Sequence, residues 1–197
     1  MHTLLPWILS TTLVGATLGL FQPQALTGDK AYELMRSGGE YTIAKLNALN
    51  DVLGEIGDNS TLIDLLKLLA ASSECQQAIM IVSYHAESPV PYEERFGRLA
   101  LDNIEAYNAS ASNVIESFVR KEPYIQKIHS CGHSKACDEI RRLTDLGRRF
   151  MRNVDSKVKD SGQMAQQISA VHSELQARMD AVVRDHCAVI EPERWLL

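Results

Sequence analysis

The sequence predicts an all-α protein, an up-and-down bundle of four to five helices stabilised by disulfides. Three observations predict it. After residue 28, apolar residues recur at spacings of three and four, the period of a helix with one buried face. No stretch shows the sustained alternation of β-branched and polar residues that strands need. The four cysteines, Cys75, Cys131, Cys137 and Cys187, all lie downstream of an N-terminal segment with the layout of a secretion signal. An even count in an oxidising compartment is read as disulfides before it is read as metal. With 197 residues, 45% hydrophobic and 23% charged, the chain fits one soluble domain with a real core.

The first 28 residues contain no Asp, Glu, Lys or Arg, and an apolar run from about Leu4 to Leu20 is followed by Gln22-Pro23. A cleavage site at Thr17-Leu18-Gly19 would remove residues 1–19, so a single helical domain is expected over 20–197. The competing reading is a signal anchor, but the run is barely long enough to span and Ser10, Thr11, Thr12, Gly15 and Thr17 dilute it, so with the signal cleaved no integral membrane protein is expected. The expected location is secreted and extracellular. Two N-x-[ST] sequons, at Asn59 and Asn108, agree with that route.

The elements follow in order. A first helical segment from Asp29 is interrupted at Gly38-Gly39 and resumes through Ile43, Leu46, Leu49, Leu53 and Ile56. Gly57-Asp58-Asn59-Ser60 reads as a helix stop followed by a cap. The segment from Thr61, with Leu62, Leu65, Leu66, Leu69, Ile79 and Val82, is the most apolar and is expected at the centre, with a kink or recap at Ser72-Ser73. Ser88-Pro89-Val90-Pro91 is a break, since two prolines remove donors and fix backbone angles. A helix from about Tyr92 to Lys121 should end at Pro123. Another is expected from a Ser134 cap through Ile140, Leu143, Phe150 and Val154. Ser161-Gly162 turns into a last helix through Met164, Ile168, Val171, Leu175, Met179 and Val182. Short connections make these elements antiparallel neighbours.

Charge is unevenly spread. Residues 29–105 hold 13 acidic against 6 basic groups, and residues 106–197 hold 12 against 14. Arg141, Arg148, Arg152 and Lys159 fall on one helical stripe opposite the apolar face, a candidate anion-binding face. Asp145 and Asp155 blunt it, which favours an ordinary solvated surface. A secreted chain with pI 5.7 and no basic domain is not expected to bind nucleic acid.

His129, Cys131, His133 and Cys137 crowd into nine positions. Their types suit zinc, but the spacing H-x-C-x-H-x3-C is no familiar finger and no second ligand pair exists to close a loop. The cysteines are therefore assigned to disulfides and the histidines to a solvent-facing loop. Residues equidistant from a hairpin tip meet at its open end, and Cys137 and Cys187 each lie 25 from Gly162. That favours Cys137–Cys187 with Cys75–Cys131, over the rival Cys131–Cys137 with Cys75–Cys187. His172 and His186 fall on or near the apolar side of the last helix, as hydrogen-bonded structural histidines.

No hydrolase elbow, metalloprotease helix, phosphate loop or calcium loop is present in the sequence. No catalytic residue, metal site or cofactor is therefore assigned. The expected function is non-enzymatic extracellular binding, with a protein or an anionic surface as partner. The alternative is a carrier whose interior holds a small apolar ligand, suggested by the leucine-rich segment and six methionines. An enzyme or zinc protein built on His129–Cys137 is the remaining reading.

Overall fold

The computed structural model describes residues 28–87, 94–128, 132–158 and 162–187. They form five helices, α1 (Gly28–Glu55), α2 (Leu62–Ala86), α3 (Glu94–Ile128), α4 (Gly132–Val158) and α5 (Gln163–His186), and no strand occurs among them. The all-α bundle expected from the sequence is the observed one. The N-terminal segment, the Ser88–Pro91 break, His129, Cys131 and Lys159 lie outside the described residues.

Cross-helix bonds fix the directions. Lys45 meets Glu74 at 2.7 Å, so α1 and α2 are antiparallel. Ser117 donates to Asn50 at 2.7 Å and Lys121 donates to the Gly54 carbonyl at 2.9 Å, so α1 and α3 are parallel. Ser72 donates to Glu139 at 3.0 Å and Asn153 to the Ser83 carbonyl at 3.3 Å, so α2 and α4 are parallel. Glu122 holds His186 at 2.6 Å in a parallel α3–α5 pair, and Arg148 meets Asp180 at 2.8 Å in an antiparallel α4–α5 pair. The chain thus alternates up and down as expected, but sequence neighbours are not always the main spatial neighbours. One layer is α1–α3–α5 and the other is α2–α4, with α3 in light contact with α2 and α4. That looseness leaves the axis of the bundle to side chains alone.

Four local expectations are corrected. Helix α1 runs unbroken through Gly38-Gly39, because its intrahelical bonds persist and Thr42 adds a hydroxyl bond to the Gly38 carbonyl at 2.8 Å. Gly38 serves close packing instead: a Cβ there would lie 3.2 Å from Val82 Cγ2. Helix α2 has no break at Ser72-Ser73, since buried Ser72 spends its hydroxyl across the interface on Glu139. Helix α3 continues past Pro123 to Ile128, and Ile125 beyond it is fully buried, a gain that outweighs one lost backbone bond. Helix α4 starts at Gly132, so Ser134 lies inside its first turn.

The stop at Gly57–Ser60 is present. Gly57 N–H donates to Ser60 Oγ at 2.9 Å, and Asp64 accepts from the Thr61 backbone N–H at 2.8 Å. The Thr61 backbone and Lys67 hold the Asp64 carboxyl down at about 2. At the other hairpin Gly162 takes φ 58°, a left-handed angle that favours glycine.

The centre of the fold is not α2. Its outward face leaves Ile63 65% and Tyr84 64% exposed, beside exposed Leu62, Leu66, Met80 and Ile81. Helix α3 lies between α1 and α5 and buries Ile104, Tyr107, Ala111, Val114 and Phe118. Summed hydrophobicity misplaced the centre because α2 is apolar on both faces, whereas α3 confines its apolar residues to one stripe.

Candidate interior site

Two small hollows lie in series along the axis. The first is bounded by Leu49 and Leu53 of α1, Leu68 and Ser72 of α2, Val114 and Phe118 of α3, and Glu139, Ile140 and Leu143 of α4. The second takes side chains from all five helices: Leu46, Ile79, Tyr107, Ala111, Thr144 and Met179 among them. Val114, Ile140 and Leu143 line both, so one wall of three side chains separates them. Each holds about 20 Å³, space on the order of a single water molecule. Both are almost wholly apolar in lining residues, which is the chemistry of a dry site.

Polar groups at these hollows are few, and most are already engaged. Glu139 accepts from Ser72 and Gln76 and pairs with Arg142 at 3.1 Å. Thr144 donates back to the Ile140 carbonyl at 2.8 Å. The Tyr107 hydroxyl is buried without a hydrogen-bond partner among the described residues. Its ring stacks edge-on against Phe150 with centroids 5.3 Å apart. Gly147 makes room for it, since a Cβ there would stand 3.2 Å from the hydroxyl and 3.6 Å from Met179 Cε. Burial in this apolar setting pushes the phenol well above its ordinary value, so it remains a donor. In the sequence Tyr107 and Gly147 read only as positions on the apolar faces of their helices, and a tyrosine in an amphipathic helix carries no signal of an open hydroxyl.

The sequence-assigned residues sit elsewhere. Cys137 and Cys187 are joined, with Cα atoms 5.4 Å apart, at the open end of the α4–α5 hairpin. That bridge excludes the rival pairing. Among the described residues Cys75 is an unbridged, fully buried thiol on α2, pushed up to about 12 by burial, and its expected partner Cys131 lies outside them. His133 is not a solvent-facing loop residue: it lies on α4, and its Nε2 is 3.0 Å from Glu122 Oε1 and 3.0 Å from the His186 carbonyl. Glu122 thereby receives both His133 and His186 beside the disulfide. The correction follows from α4 starting two residues early, which turns position 133 toward α3 and α5. No group of three or more metal-ligating side chains occurs among the described residues.

The arginine stripe is a mixed-charge surface. Arg141 binds Asp138 at 3.2 Å and the Cys187 carbonyl, and Arg148 binds Asp145 at 3.0 Å as well as Asp180. With Arg152 and Asp155, Arg148 and Asp180 border an open groove of about 390 Å³ between α4 and α5. His172 lines that groove, is 4% exposed, and holds Asp155 at 2.8 Å through Nδ1. Desolvation lowers the His172 value more than Asp155 raises it, so burial favours the neutral ring. Asn59 is exposed in the α1–α2 turn, whereas Asn108 is half-buried in unbroken α3 with its Oδ1 unpartnered among the described residues.

Fold and interior together define a two-layer helical bundle with apolar hollows on its axis. Two solved structures share that fold. One is AFMP4P in complex with palmitic acid, at TM-score 0.60 and 14% identity over 75% of this chain and 99% of that one. The other is ligand binding domain 1 of the Penicillium marneffei MP1 protein complexed with arachidonic acids, at TM-score 0.59 and 8% identity over 76% and 98%. No protein-family model and no curated protein sequence matches the chain. At such low identity the likeness is one of fold.

Proposed function

We propose that the protein is a non-enzymatic carrier that holds a single-chain apolar ligand of the fatty-acid class between its helices. This was the alternative reading of the sequence, and it replaces surface binding as the preferred one. The observation that carries it is the pair of hollows sharing one wall of Val114, Ile140 and Leu143, on the axis of a fold whose solved neighbours hold palmitic and arachidonic acids. Ligand pockets run to roughly 300–1,000 Å³, far above about 20 Å³ in each hollow. Binding therefore requires the shared wall to repack and α3 to move away from α2 and α4. Those are the helix pairs with the lightest backbone contact, and the displacement must part the side chains between them, the Tyr107–Phe150 and Glu122–His133 pairs included.

Native mass spectrometry after mild purification tests this. Adducts of fatty-acid mass are expected, or their appearance on incubation with palmitic acid. A chain that stays unliganded in both conditions would sink the carrier reading. We further propose that the protein is secreted from a precursor cleaved after Gly19 and glycosylated at Asn59 more fully than at Asn108. The exposed turn at Asn59 and the half-buried helical position of Asn108 support the difference. Glycopeptide mapping of material from the medium checks it, with full occupancy at Asn108 as the contrary outcome.

A further inference from the structure

Every hydroxyl, amide or carboxylate facing the two hollows has a partner except one. Ser72 donates to Glu139, Glu139 also takes Gln76 and Arg142, and Thr144 donates to its own helix. Of the buried side-chain atoms left without a partner among the described residues, only the Tyr107 hydroxyl belongs to a residue that lines an interior hollow. His172 and Gln176 line the outer groove instead. Tyr107 is 3% exposed, and its hydroxyl stands over the space left by Gly147. A buried donor with nothing to donate to is unfavourable, and such a group is expected to be satisfied by something that binds.

We propose that the Tyr107 hydroxyl is the anchor for the polar head of the ligand, donating its hydrogen bond to a carboxyl oxygen of a fatty acid. This rests on the carrier reading. The two ends of the axis differ in the donors they leave free, which fixes the direction of the ligand. The far hollow has no donor left for a carboxyl oxygen, since the Ser72 hydroxyl is spent on Glu139 and the Glu139 carboxylate only accepts. The near hollow offers a neutral donor and the polarisable Met179 thioether. The head therefore sits at Tyr107, and the chain passes Val114 toward Leu49, Leu53 and Phe118. A single phenol cannot replace the hydration of an ionised carboxylate, so the acid is held in its neutral form.

Tyr107→Phe removes the donor and keeps the ring against Phe150. Two probes separate the anchor from the cavity: palmitic acid, and diphenylhexatriene, a hydrocarbon fluorophore without an acceptor. The variant should bind palmitic acid about fivefold to tenfold more weakly, the worth of one buried hydrogen bond, with diphenylhexatriene unchanged. Its ligand-free melting temperature should equal or exceed that of the parent, because an unsatisfied buried hydroxyl has gone. Unchanged palmitic acid affinity overturns the anchor and leaves the carrier intact. Equal weakening of both probes also overturns it, by showing that shape rather than donation was lost. If the parent binds neither probe, the carrier reading fails and takes the anchor with it.

Discussion

Replacing Cys137 with alanine is expected to lower the melting temperature by roughly 8–16 °C in a thermal scan. The bridge to Cys187 spans a sequence separation of 50, and a cross-link of that length restricts the unfolded chain by about 4 kcal/mol. A domain of this size moves by about 2–4 °C per kcal/mol at its midpoint. The native surroundings add to the effect. Cys187 is 2% exposed, its carbonyl takes Arg141, and Glu122 gathers His133 and His186 next to it. Severing the bridge frees the end of α5 on which those bonds depend. An unchanged midpoint would mean that the packing of α4 on α5 already closes the hairpin without the covalent link.

Phe118→Ala is expected to cost about 3–5 kcal/mol, read as a fall in denaturant midpoint at constant slope. Phe118 is 2% exposed and forms part of the wall of the first hollow. Its removal leaves space that α2, α3 and α4 can close only by moving together, and the stand-off of α3 limits that collapse. An apolar occupant should then recover part of the loss. Palmitic acid is expected to raise the melting temperature of the variant by more than that of the parent, because the enlarged hollow needs less repacking to admit it. Equal stabilisation of both would place the ligand away from Phe118.

The helical period made the class and most helices legible. Met164, Ile168, Leu175, Met179 and Val182 define α5 in both sequence and structure, and the symmetry of Cys137 and Cys187 about Gly162 gave the observed bridge. Local breakers were less informative. Gly38, Ser72 and Pro123 each sit inside a continuous helix, because packing across an interface outweighed a propensity of order 1–3 kcal/mol. Which helix lies at the centre was hidden, since α2 is more apolar than α3 yet spends one face on the surface. An apolar interior was legible as the alternative carrier reading, but the site within it was not. It depends on Tyr107, Gly147 and Met179 meeting from three helices, and no sequence spacing encodes an unpartnered hydroxyl.

The crossing of layers also governs how the chain must fold. A sequential bundle closes one short hairpin at a time, but here parallel pairs join residues far apart in sequence. Ser117 reaches Asn50 across 67 positions, Ser72 reaches Glu139 across 67, and Glu122 reaches His186 across 64. Each such contact closes a long loop before it is rewarded, which sets these pairings apart from the closure of a single helical hairpin. Helix α3 can dock fully only when α1 and α5 are both in place, and α2 needs both α1 and α4. The two sequential hairpins, α1–α2 and α4–α5, are thus tied into one body by pairings that are distant in sequence.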